Sequence, residues 1–526
     1  MTTNQYDKQN SEAFTPAKDK KREQEDILNT EAWVNSYSIS GSTDSERYLV
    51  RLARRAFLSL WSYSNVYTDE GRRGRGDGKE FCDLLVVFGD DVILFSDKHC
   101  EFVPHADINI AWSRWYKRAI EKSAKQLAGA EAWLIRYPDR LFLDPGCKSS
   151  LPIKLPDASR RRVHLIAVTR GATEYAKKYW GGGSSGSLVL DTSLVQNDHR
   201  SSPFSVGWVL PKRRFVHVLD ETTLDVVLRE LDTVSDFVDY LTKKQERLET
   251  PGTDFWIPGE EELVANYLLR FDPQSQEHSF PEAPPDALVV LREGDWTSLL
   301  ASKAYRARRK ANEISYLWDE LIEYQNRHII NGSAVVLYRE ESLELHERVM
   351  RMMAQENRVA RRILGASIDR ARSINKKGKR FTRSIIGGRD KKRAYVFMSL
   401  PKPTGYSYIQ YRELRQEQLL MYCYGCKLKF DHVREVVGIA FEPGKAKTIS
   451  VDYLVTDFGD TPIDPQFAKE ARGYLDDANM WNQDKVAFEM FRDTPFPMKS
   501  YGNPALLRML TNYVRRIKGK IGNYWG

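Results

Sequence analysis

Asp83 and Lys98 bracket two apolar runs, and their types and spacing suit phosphodiester chemistry. A carboxylate holds a hard divalent cation beside a phosphate, while a nearby ammonium orients the attacking water or neutralises the charge that develops. The runs Leu84 to Phe88 and Val92 to Phe95 flank Gly89-Asp90-Asp91, the pattern of two antiparallel strands joined by a tight turn. A two-residue turn centred on Gly89-Asp90 or on Asp90-Asp91 sets Asp83 opposite Ser96 or Lys98. Asp83, Ser96 and Lys98 then share one face and Asp97 points the other way; a three-residue turn reverses this. The competing account is a plain core hairpin that ends in solvated charges.

The elements on either side must position these groups. From Glu46 to Trp61, Leu49, Val50, Ala53, Phe57 and Leu60 recur at helical spacing with Glu46 on the same stripe. A carboxylate at the start of a buried face needs a metal, a cation or backbone donors. Thr43-x-x-Glu46 also fits a capping box, in which the glutamate folds back on the helix start. A second helix is expected from Ala111 to Ile135. There Lys122 and Gln126, one turn apart, either reach a phosphate or the hairpin lysine, or form an exposed seam between Trp115 and Trp133.

The order helix with Glu46, strand with Asp83, strand ending in Asp97-Lys98, helix with Gln126 resembles the PD-(D/E)XK superfamily of restriction-endonuclease-like nucleases, over about residues 40 to 140. The resemblance implies an αβββαβ core with a mixed sheet, and Mg²⁺ or Mn²⁺ as cofactor. It implies Glu46 and Asp83 as metal ligands and Lys98 as the lysine beside the water, with Gln126 assisting from the following helix. The family's second acid belongs at position 96, where this chain has Ser96. Asp97, one residue late, either joins the metal shell through a bulge or marks a degraded site. The implied activity is Mg-dependent DNA endonuclease, with bacterial defence against foreign DNA as the natural setting and a partner protein or a homo-oligomer as possible company. The alternative is an inactive nuclease-like protein that binds DNA or serves as an assembly platform.

Other chemistries fail on spacing. Cys423-Tyr-Gly-Cys426 is half a zinc site without a second half, and the five cysteines are too few for a disulfide framework. Gly438 to Gly444-Lys445-Ala446 lacks the Ser or Thr of a phosphate-binding loop, and His346-Glu347 lacks the second histidine of a zinc protease. The chain has no apolar run of the ~20 residues a membrane helix needs. Its polar start lacks a signal peptide's apolar centre, so a soluble cytoplasmic protein with no membrane partner is expected.

A net charge of +8 over 526 residues becomes informative where it concentrates. Between Arg370 and Arg393 lie Lys376, Lys377, Lys379, Arg380 and Arg383, a surface suited to DNA phosphates, and the basic helix Arg348 to Leu364 precedes it. Arg72, Arg73 and Arg75 sit in the Gly-rich loop before Asp83, where they would guide DNA toward the hairpin. The expected organisation is an α/β protein: a disordered tail over 1–30, a nuclease-like domain over 31–250, and a linker with a short helix over 251–285. A basic mixed α/β or α+β domain for substrate or partner binding follows over 286–526.

Overall fold

A computed structural model describes residues 43–72, 76–210, 215–273, 275, 277–332, 343–374, 380–387, 390–443, 450–459, 463–477 and 494–497. The expected tail over 1–30, together with Arg73, Arg75, Lys376, Lys377 and Lys379, lies outside the described residues. The protein is mixed α/β.

Helix α1 (Asp44–Phe57) starts on Thr43, whose hydroxyl accepts the Glu46 N–H at 3.2 Å, and carries Asp44 and Glu46 in its first turn and Arg54 and Arg55 in its last, matching its dipole. It ends before the expected Trp61 because Leu58 turns to φ 62°. The chain then forms β1 (Ser62–Thr68), β2 (Lys79–Phe88) and β3 (Asp91–His99). Phe88 pairs with Asp91, so Gly89-Asp90 makes the turn, with Gly89 at φ 60°. The helix expected over Ala111 to Ile135 is two, α2 (Ile108–Tyr116) and α3 (Lys122–Arg136), joined by a π turn over Lys117–Glu121. A short β4 (Leu141–Phe142) precedes β5 (Arg162–Arg170) and helix α4 (Thr173–Tyr179). Strands β6 (Val189–Val195), β7 (Ser205–Trp208) and β8 (Val216–Asp220) follow.

The main sheet has the order β4-β1-β2-β3-β5-β8, antiparallel from β4 to β3 and parallel from β3 to β8. Its central strands are apolar on both faces, as burial on both sides requires. The adjacent apolar runs from Val206 to Leu219 read as a hairpin in the sequence, but they do not pair with each other: β7 pairs parallel with β6 in another sheet, whereas β8 pairs parallel with β5. Asp220 then caps α5 (Glu221–Glu230), and Thr233 caps α6 (Val234–Leu248). The stretch 251–285, expected as a linker, keeps its helix but packs into the molecule. Strand β9 (Asp254–Ile257) joins the second sheet, and α7 (Glu260–Leu269) is buried along most of its length. Next come the ribbon β10 (Phe271–Asp272) with β11 (Glu277–His278), and β12 (Leu288–Val290), which completes a sheet ordered β12-β9-β6-β7.

The remainder consists of α8 (Asp295–Ala301), α9 (Lys303–Asn312), α10 (Tyr316–Ile330), α11 (Leu343–Ala354) and α12 (Arg358–Ile374), then β13 (Phe381–Gly387), β14 (Arg393–Ser399), α13 (Tyr408–Lys429), β15 (Glu435–Phe441), β16 (Val451–Asp457) and α14 (Pro465–Asp477). One apolar core runs from α1 and one face of the main sheet through α5 and α6 to Tyr395, Phe397, Val437 and Ile439 of the β13-β14-β15-β16 sheet. A second core joins the opposite face of the main sheet to α2 and α3, and a third lies beneath α13.

Buried ion pairs tie the two halves further. Arg358 reaches Asp232 at 2.8 Å and Asp319 at 2.7 Å, and Arg361 reaches Asp319 at 2.6 Å. Burial opposes the charge on Asp232, but Arg358 and Arg55 overcome it and hold the carboxyl far below its usual range. The basic helix read as a DNA surface is therefore corrected: Arg358, Arg361 and Arg362 are buried, because they neutralise acids and cap carbonyls inside the protein. Among the described residues, no helix is long and apolar enough to cross a membrane.

Candidate functional site at the ends of the central strands

The β2–β3 hairpin and the neighbouring β5 bring the polar groups together. Along β2, Leu84 and Val86 face the core beneath α1, while Leu85 and Val87 face the core beneath α2 and α3. Cys82 lies in the second core with Leu85, although strict alternation would place it in the first. The alternation therefore breaks at Asp83. The β1–β2 ladder shows the same irregularity, with Asn65 at φ 53° and a register shift between Val66 and Tyr67.

That break sets the site. Asp83 is 4% exposed, and its Oδ2 accepts the Asp97 N–H at 2.6 Å, spanning from β2 to β3 where the regular pairing has stopped. Burial pushes the carboxyl up to about 7; Lys98 and the Asp97 N–H pull against that shift, and the Glu80 carboxyl beside it adds to it. Glu80 was not singled out from sequence. It stands three residues before Asp83, where plain strand alternation puts it on the opposite face, and the irregularity brings the two carboxyls into contact. It is exposed, so the pair opens to solvent through Glu80.

Asp97 points away from Ser96, as expected, and is bound by Arg170 of β5 at 3.1 and 3.2 Å. Burial raises its pKa against that guanidinium, and Asp83 and Glu46 push it further in the same direction. Tyr67 is raised by burial and then by Glu80 and Glu46, so Glu46, half-buried at the start of α1, lies within the electrostatic reach of both Tyr67 and Asp97. Arg170 also lies over the Tyr48 ring of α1 at 5.8 Å. Ser96, where the sequence resemblance expects an acid, contacts α3: its hydroxyl lies 3.4 Å from Ser123 Oγ and 3.3 Å from Gln126 Oε1. Gln126 therefore reaches the hairpin, while Lys122, one turn away, is exposed.

Glu80, Asp83, Asp97, Lys98 and Glu46 thus form one electrostatic neighbourhood, with Gln126 behind Ser96. Arg72 is exposed at the loop before β2. The other described basic residues lie elsewhere: Arg380 contacts Gln418 at 3.3 Å and lies over the Tyr422 ring at 5.7 Å, and Arg383 sits on β13 opposite Phe397. Hard carboxylate oxygens suit Mg²⁺ or Mn²⁺. Among the described residues, however, no group of three or more His, Cys, Asp or Glu is arranged to hold a metal ion. Asp97 in particular is committed to Arg170. Cys423 and Cys426 lie on the buried face of α13, where burial raises both thiols. No family model matches the chain, and neither the curated proteins nor the solved structures contain a match.

Proposed function

We propose that the chain is a metal-dependent DNA endonuclease of the restriction-endonuclease-like kind, acting at the β2–β3 hairpin. The observation that carries this reading is the Asp83 carboxylate bridging to the Asp97 N–H at 2.6 Å, with Glu80 and Lys98 beside it. A buried carboxyl such as Asp83, with a second carboxyl beside it, is costly to keep charged, and such groups gather where a cation or a reacting phosphate offsets the cost. Asp83 and Glu80 would hold Mg²⁺ or Mn²⁺, with Glu46 the next acid within reach. The cation would supply Lewis-acid polarisation of a phosphodiester. Lys98 would neutralise charge developing on the phosphate, and the Ser96–Gln126 contact would hold the β3 side of the site.

A second reading is favoured by a different observation. Ser96 occupies the place of the second acid and Asp97 is held bidentately by Arg170, an arrangement that suits a DNA-binding platform without hydrolysis. Metal affinity separates the two. Titration of the protein with Mn²⁺ should show binding that Asp83→Ala removes, whereas a platform would bind DNA equally with and without the cation and show no Asp83-dependent Mn²⁺ site.

A further inference from the structure

Helix α4 leaves the end of β5 beside the end of β3. Gly171 makes this possible: at φ 97° its Cβ position would lie 2.4 Å from the Cys100 carbonyl oxygen, so a side chain there is excluded. The Cys100 N–H donates to the Arg170 oxygen at 3.3 Å, and Trp115 Nε1 donates to the Cys100 oxygen at 2.8 Å. The start of α4 is thus pinned next to the Lys98-His99-Cys100 segment.

This short helix carries large rings into solvent. Tyr175, Tyr179 and Trp180 are 36%, 44% and 37% exposed. A single exposed aromatic needs no explanation, but three on one turn-and-a-half do. They are supported from below. Tyr175 rests on buried Phe102 with centroids 4.6 Å apart, Tyr179 rests on buried Phe204 at 5.3 Å, and Tyr179 and Trp180 meet edge to face at 4.9 Å. Rings anchored this way lose little freedom when a ligand stacks on them. Cations lie alongside: Lys178 is exposed, and Arg118 donates at 2.9 Å to the carbonyl oxygen of Glu101, the residue before Phe102.

We propose that this face, centred on Tyr179 and Trp180, is a stacking platform for single-stranded DNA that leads a strand toward Asp83 and Lys98. The inference rests on the nuclease reading for its destination and deepens it by naming the form of substrate. Exposed anchored rings next to the Lys178 ammonium match the alternation of base and phosphate in an unpaired strand. Paired bases in a duplex are already stacked and offer these rings no face. An apolar protein segment could also cover the rings but would leave Lys178 without a complementary charge.

The test measures fluorescence anisotropy of labelled oligothymidylate, its RNA counterpart and a DNA duplex of equal length, bound to the full chain without divalent cation. Replacing Tyr179→Ala and Trp180→Ala together should weaken single-stranded DNA binding by on the order of 10- to 100-fold, with little change for the duplex. The Tyr179→Phe, Trp180→Phe pair should retain most of the affinity. Lys178→Glu should weaken binding and reduce its salt dependence. Unchanged single-strand affinity in the alanine pair, an equal loss on duplex, or tighter ring-dependent binding of the RNA would overturn the assignment. Binding is read without divalent cation, so it is scored independently of cleavage. Ring-dependent binding without any cleavage therefore counts against the nuclease reading alone, and cleavage without ring dependence counts against the platform alone.

Discussion

Replacing Asp83 with asparagine should stabilise the metal-free protein at pH 8 and, on the proposed nuclease reading, abolish divalent-cation binding. The folded Asp83 carboxyl sits at about 7 against an ordinary 3.8. Because the folded value is the higher one, the fold holds a proton that the unfolded chain has already released. The carboxyl's stabilising contribution is therefore complete below about pH 4 and is lost as pH rises through about 7. The gap corresponds to a ceiling of about 4 kcal/mol of strain at pH 8. Asparagine keeps an oxygen to accept the Asp97 N–H, now 2.6 Å from the carboxylate. As a neutral acceptor it gives back about 1 kcal/mol, which leaves a net gain of about 1–3 kcal/mol. Thermal unfolding in chelator at pH 4 and pH 8 measures this directly. The variant should melt higher than the wild type by a few degrees at pH 8, on the order of the shift such energies give in large domains, and no higher at pH 4. A variant that melts lower at both pH values would refute the reasoning, because it would make Asp83 a satisfied structural acceptor with no stored electrostatic cost.

Arg358→Ala should destabilise the protein by about 3–5 kcal/mol, since it leaves Asp232 and Asp319 buried without their shared guanidinium; urea unfolding reads the loss, and DNA affinity per folded molecule should not change. Gly171→Ala should cost about 1–3 kcal/mol, because φ 97° and the 2.4 Å approach to the Cys100 oxygen both exclude a Cβ. Its melting temperature should fall, and cleavage should fall with it, because the same contact fixes the Lys98-His99-Cys100 segment.

The local pattern of the site was legible in the sequence where apolar alternation and turn chemistry agreed. Gly89-Asp90 closes the hairpin, α1 buries Leu49, Ala53 and Phe57, and β5 comes after α3 and pairs parallel with β3 in the mixed sheet. Pairing of distant strands was less legible. The runs that became β7 and β8 looked like a hairpin because they are adjacent in sequence, but each found a parallel partner elsewhere, which no local pattern encodes. Arg358 and Arg361 read as surface charge because their acids lie on α10 and at the junction of α5 and α6, and Arg362 because its acceptors are Asn312 and the Thr494 and Pro495 carbonyls, all far away in the chain. Glu80 and Arg170 escaped for related reasons: one needs the irregularity at Asp83 to reach it, and the other sits on a strand that pairs with β3 only in the folded sheet.

Supercoiled plasmid DNA incubated with the wild-type protein and with an Asp83→Ala, Lys98→Ala double variant, each in Mg²⁺, in Mn²⁺ and in chelator, tests the central claim most directly. Nicked or linear product from the wild type with cation, and from neither protein otherwise, is the expected result. Equal product from the double variant, or none from the wild type while both proteins bind the DNA in a salt-dependent way, would contradict it.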